Sequence, residues 1–196
     1  MHMIATGALM AFFLLSGAAS AEPVNVQVEV ASTEPATVLE KADNVYSVAM
    51  TGYNAVPAQT DSDPYTTASG AYSDPDIVVA RSVDLADELP FGTVIRFVLP
   101  EGNSKPPCGL SSVGHLLGLR VVADSMHSRK RNQVDVLFDY ERTVQVNGKR
   151  MNPAVVLGVC KDIEIRVVGK IDIKQMPKNQ TELLASVGGA TLALDK

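Results

Sequence analysis

The chain lacks tryptophan, has two cysteines and three histidines among 196 residues, and carries charge on only 20% of them. Each shortage removes a class of function. The formal net charge is −5, so no cation surplus stands ready for a phosphate backbone or an anionic lipid surface. Nucleic acid is therefore not an expected partner. Asp124 and His127 begin a metal-ligand pattern, but no second histidine converges on them, so no metal and no cofactor are assigned. No Asp-Thr/Ser-Gly pair recurs in two halves, which sets aside an aspartic-protease dyad. Neither cysteine has a histidine partner in its sequence context, which argues against thiol catalysis. Long amphipathic helical patterns are scarce, and no internal repeat has a legible period. A Val-, Gly- and Pro-rich chain without them reads as mostly β.

What is present begins with an apolar run, Ile4 to Leu15, too short for a comfortable membrane span. Ala19-Ser20-Ala21 follows as an A-x-A cleavage pattern, so residues 1–21 read as a secretory signal peptide. The segment before the apolar run has His2 but no Lys or Arg, and the alternative is an uncleaved N-terminal anchor. Only in that case is the membrane a partner. No lipobox cysteine stands near the junction. Either reading sends the remainder out, to the periplasm, the cell envelope or the extracellular space. Residues 22–43 read as a linker with a possible extra strand at Val24 to Val30. Beyond the signal peptide about 175 residues remain, enough for one domain with a real core plus tails. The domain is expected over 44–170 and a C-terminal tail over 171–196. The oligomeric state is left open.

Six runs in the domain have strand character: Tyr46–Tyr53, Ile77–Ala80, Val94–Leu99, Leu119–Ala123, Val134–Phe138 and Ile163–Val168. Two long polar segments interrupt them. Asn54–Pro75 is dense in Pro, Asp, Ser, Thr and Gly and reads as a surface loop of turns. Pro100–Gly118 reads as a second loop. Val144 to Lys149 resembles a hairpin edge turning at Asn147-Gly148, and Pro153–Val159 a short helix. A closed barrel is the economical way to hide six strand edges. Cys108 and Cys160 are the only cysteines. In an exported chain they either pair, tying the second loop to the entry of the last strand, or stay free.

The stretch Val121–Phe138 organises the rest. Two apolar runs, each carrying one aspartate, flank a polar loop that contains Arg129-Lys130-Arg131. Val134, Val136 and Phe138 share one strand face, and Asp135 shares the other with Leu137. Asp135 is either an outward solvated residue or a placed acid. The basic run reads first as a solvated loop, and in a cell-wall context as a contact for carboxylates of peptide stems.

The ordered set Thr51-x-Tyr53, Gln59-Thr60-Asp61, Thr67-Ala68-Ser69-Gly70, Val83-Asp84, Leu89-Pro90-Phe91-Gly92-Thr93, Val122 to His127, Val134 to Phe138 and Leu157-Gly158-Val159 resembles the three-aspartate (3D) domain. That family includes the stationary-phase survival proteins and the catalytic barrel of membrane-bound lytic transglycosylase A. The resemblance spans about Val45 to Val168. It implies a six-stranded double-psi β-barrel with long loops and few short helices, acting on peptidoglycan glycan strands. It maps the family's three aspartates onto Asp84, Asp124 and Asp135, with Asp135 as catalytic acid, Asp124 as its modulator and Asp84 as the third member. Thr51, Tyr53, Thr67, Ser69 and His127 are the expected substrate-binding residues.

The implied activity is lytic transglycosylation, which breaks the β-1,4 bond from N-acetylmuramic acid to N-acetylglucosamine and leaves a 1,6-anhydro product. The alternative is a non-catalytic glycan-binding module on the same barrel. Three departures bear on substrate preference. Asp124-Ser125-Met126-His127 stands where the transglycosylases have Asp-Thr-Gly-Gly, Leu85 stands where the family has proline, and the second loop is long.

Overall fold

Alternating apolar residues become strands where each face has something to bury against. In the computed structural model, residues 44–60, 63–98 and 108–188 are described. The expected signal peptide, the linker with its extra strand, Asp61 and the first part of the second loop lie outside them.

The strands are β1 (Val45–Asn54), β2 (Val78–Arg81), β3 (Thr93–Val98), β4 (Leu119–Ser125), β5 (Gln133–Phe138), β6 (Val144–Val146), β7 (Lys149–Met151) and β8 (Cys160–Lys170). Six of them close a barrel in the order β1-β5-β2-β4-β3-β8, and β6 and β7 form a separate hairpin. The pairs β1–β5 and β2–β4 are parallel; the other four are antiparallel. Closure leaves no barrel edge to protect. The protein is thus mostly β with a closed six-stranded barrel, as the strand pattern predicts. The hairpin turns at Asn147-Gly148, both at positive φ (50° and 76°), the conformation that Asn-Gly tolerates best.

Strand parity sorts the apolar side chains into two clusters. Val48, Met50, Val79, Val122, Val136 and Ile165 belong to one, inside the barrel. Val78, Val94, Val121, Ala123, Leu137 and Leu183 belong to the other, on its outer face. The second cluster exists because further chain covers it. Helix α3 (Gln180–Ser186) lies in the segment read as a tail, yet its Leu183 is fully buried. Gln180 accepts from Leu119 N at 2.9 Å and donates to Leu119 O at 2.8 Å, so residues 171–188 are docked rather than trailing. Apolar Leu183 and the Gln180 amide hold this segment against the start of β4, a contact no local periodicity announces.

The second loop also differs from its reading. Its latter half forms α1 (Leu110–Val113), whose Leu110 and Val113 are buried in the barrel cluster. Cys108 and Cys160 form a disulfide with Cα atoms 5.3 Å apart. Next to it, α2 (Pro153–Leu157) starts on an Asn152 side chain that accepts from Ala154 N, with proline at the first turn. Gly109 lies so close to α2 that a Cβ there would sit 1.8 Å from Val156 O. Among the described residues no helix is long and apolar enough to cross a membrane.

One buried cation braces the other side. Arg120 is 1% exposed, and its guanidinium donates to the carbonyls of Pro75, Val78, Leu116, Leu117 and Leu137. Burial draws its pKa down to about 10, so it stays protonated at neutral pH. Carbonyl dipoles replace its water, and they tie the end of the Asn54–Pro75 loop to β2 and β5.

Candidate functional site

The site begins as one row across four strands. Thr51 on β1 pairs with Asp135 on β5, Asp135 with Ala80 on β2, and Ala80 with Asp124 on β4. Strict alternation would not give this row. Val122 points into the barrel, so two residues on Asp124 would point there too. A bulge prevents it: Val79 pairs with Val122 and Ala80 with Asp124, leaving Ala123 as the extra residue. Asp124 is thereby turned to the outer face beside Asp135. Two strand spacings separate their backbones, about 10 Å. Ala80 between them has almost no side chain, so the interval is open.

A cavity of about 490 Å³ fills that interval. Asp124, Asp135 and Ala80 form its floor. The long first loop supplies one side through Gln59, Thr60, Thr66 and Ser73, and the β4–β5 loop supplies the other through Met126, His127 and Lys130. The volume suits a small molecule or one to two sugar rings.

The two carboxylates live in different surroundings. Asp124 is saturated with donors: Ala68 N and Ser125 N reach Oδ1 at 2.9 Å each, and Tyr53 OH reaches Oδ2 at 2.7 Å. The Tyr53 hydroxyl is pushed far above its usual range, first by burial and then by the Asp124 charge, so it acts only as a donor. Asp135 receives one side-chain bond, from Thr51 Oγ1 at 2.8 Å. Gln133 Nε2 in turn donates to Thr51 Oγ1 at 2.7 Å, which orients that hydroxyl toward the acid. Burial raises Asp135 to about 6; the Thr51 bond and the Lys130 charge oppose the rise, and the Asp124 charge adds to it. A carboxyl held near 6 can carry or release a proton under ordinary conditions.

The other expected residues sort themselves by position. Tyr53 and His127 line the cavity. Thr51 stands behind Asp135. Thr67 and Ser69 do not line the cavity: Thr67 Oγ1 donates to Ala71 O, and the two hydroxyls meet at 3.0 Å. They fold the loop turn that presents Ala68 N to Asp124. Asp84 is exposed, outside the cavity, and accepts from Asn132 N at 2.9 Å. Its pKa is lowered by the Ser82 hydroxyl and then by that amide. Asp84 thus pins the end of the β4–β5 loop and does not face the cavity.

Sequence reasoning missed Ala80, Lys130, Thr66 and Ser73 as lining residues. Ala80 gives a signal only in retrospect, as the one small residue closing an Ile-Val-Val run. Lys130 was hidden among three consecutive cations. Among the described residues, no group of three or more His, Cys, Asp or Glu side chains gathers to hold a metal ion. In comparisons with known proteins, no family model matches the chain, and no curated protein matches it in sequence.

Proposed function

We propose that the protein is an exported lytic transglycosylase that cleaves peptidoglycan with Asp135 as its single acid/base. The observation that carries the reading is the contrast on one row: Asp135 is raised to about 6 by burial, while Asp124 beside it has both oxygens occupied. A single-carboxyl mechanism needs this division. Protonated Asp135 gives its proton to the glycosidic oxygen as the C1–O bond breaks. The resulting carboxylate takes the proton of the muramic acid 6-hydroxyl as that oxygen bonds to C1. The products are a shortened glycan and a 1,6-anhydro end, with no water consumed. Ordinary glycosidases instead use two carboxyl groups in separate roles.

Asp124 supports the acid with a fixed negative charge and keeps Tyr53 in place. Ala80 leaves room for the ring, and the hydroxyl and amide side chains of the first loop suit sugar hydroxyls. The 3D-domain resemblance and the Cys108–Cys160 disulfide, a bond favoured in oxidising compartments, agree with an exported cell-wall enzyme.

The test is mass spectrometry of purified peptidoglycan after incubation with the protein and with Asp135→Asn. Anhydromuramyl products from the native protein alone are expected. Binding of the glycan by both proteins with no cleavage by either would replace this reading with the glycan-binding module.

A further inference from the structure

Of the three consecutive cations Arg129, Lys130 and Arg131, only Lys130 lines the cavity. Its backbone N–H donates to His127 O at 2.9 Å, a tight turn that brings both side chains to the same rim. His127 is itself oriented. Its Nδ1 accepts from Arg129 N at 3.2 Å, so in the neutral ring the proton sits on Nε2, leaving that nitrogen as a donor. The loop is anchored at both ends: Met126 N donates to Arg81 O, and Asn132 N to Asp84.

The rim therefore offers one ammonium and one N–H donor, and among the described residues no carboxylate forms an ion pair with the ammonium. Both Asp124 oxygens are committed to Ala68, Ser125 and Tyr53. Asp135 faces the same cavity and feels the Lys130 charge, but no ion pair joins the two.

We infer that Lys130, with His127 beside it, is a specificity residue that receives a carboxylate of the substrate. The favoured substrate class is an acid-bearing aminosugar glycan, such as one with a lactyl or peptide carboxylate, over a neutral β-1,4-linked N-acetylglucosamine chain. This deepens the proposed function and rests on it for the identity of the sugar. The assignment differs from a general basic surface in that one cation of three is aimed at the ligand, so a neighbouring charge serves as the control.

The test measures binding by calorimetry in the Asp135→Asn background, where no turnover intervenes. The probes are the N-acetylglucosamine–N-acetylmuramic acid disaccharide and neutral chitobiose. Lys130→Ala is expected to weaken the acidic disaccharide about five- to tenfold, with Lys130→Arg largely restoring it and Arg129→Ala changing it less than twofold. The preference over chitobiose should shrink by the same factor and should fade in high salt.

Equal losses for Lys130→Ala and Arg129→Ala would overturn the assignment in favour of a diffuse field. So would an unchanged preference between the probes, or no binding of the acidic disaccharide. These outcomes separate the two readings. Cleavage of peptidoglycan with a Lys130-independent preference sinks only the specificity residue; Lys130-dependent binding with no anhydro product sinks only the transglycosylase.

Discussion

The cavity side of the barrel and the disulfide end solve opposite problems. Around Asp135 a small residue, Ala80, sits where a larger one would pack, and a carboxyl is half-buried with one side-chain donor. Around Cys160 the packing is close: Gly109 lies against the α2 backbone, Leu110 and Leu157 are buried, and a covalent bond closes the contact. The first region gives up packing and solvation for chemistry, and the second supplies the rigidity that tolerates the loss. A mutation at one end should therefore read out in activity, and at the other in stability.

The largest expected effect tests the cavity side. Asp135→Asn should lower peptidoglycan cleavage by on the order of 10³-fold, measured as anhydromuramyl product per unit time, with the fold intact by circular dichroism. Loss of the fold in this variant would break the contrast.

The disulfide end comes next. Replacing Cys108 and Cys160 together by serine releases a loop spanning a sequence separation of 52 residues. Chain entropy predicts a loss of about 4 kcal/mol in denaturant unfolding. The pH dependence of activity should stay where it was, because no group of that end faces Asp135.

A third measurement asks whether the cavity side is strained in the expected direction. Asp135 has a folded pKa of about 6 against a reference of 3.8. Below both values, folded and unfolded chains both hold the proton and the group has no ionisation cost. As pH rises from about 4 through 6 the unfolded chain ionises first, so stability falls, by on the order of 2–3 kcal/mol, and then levels off. Asp135→Asn should remove this fall, making the inactive variant the more stable protein at pH 7. Unfolding titrations at pH 4 and pH 7 compare the two directly.

The smallest effect belongs to Asp84, whose folded pKa is lowered. Its contribution is present above the unfolded pKa and is lost as pH falls through the lower folded value. Asp84→Ala should cost little thermal stability at neutral pH and nothing below the folded pKa. It should loosen the Lys130 loop, seen as faster amide exchange at Asn132.

All six barrel strands were legible in sequence because each is a short alternating or continuous apolar run bounded by turn residues, a property of neighbours. Val134, Val136 and Phe138 went to the barrel interior and Leu137 to the outer cluster as the period-2 pattern requires. The Asn147-Gly148 turn was legible from residue type. What escaped depends on distant contacts. Leu183 looked like tail because its partners lie on β4 and nearby loops. Leu110 and Val113 looked like loop because four helical residues show no period. Asp84 reads as the third member of the motif, the one that orients a loop or binds sugar hydroxyls; it is exposed outside the cavity and holds the end of the β4–β5 loop through Asn132 N. Thr67 and Ser69 read as substrate-binding residues, but they shape the turn and leave its backbone amide to meet Asp124.

The bulge at Ala123 has a consequence for how such a site is gained or lost. Asp124 has an even number and Asp135 an odd one. On unbroken strands, with Val122 and Val136 both inside, the two carboxylates would face opposite sides of the wall. They share a side because β4 holds one residue more than β2 at that level. Deleting Ala123 would place Asp124 directly after Val122, so an unbulged β4 would turn it outward by alternation alone, opposite Ala80 as before. A substitution scan of β4 never visits that change. The pair is set by a count of residues: straightening the bulge with Ala123 retained is the change that uncouples it, and anyone transplanting these aspartates to another barrel must carry either the bulge or a strand one residue shorter.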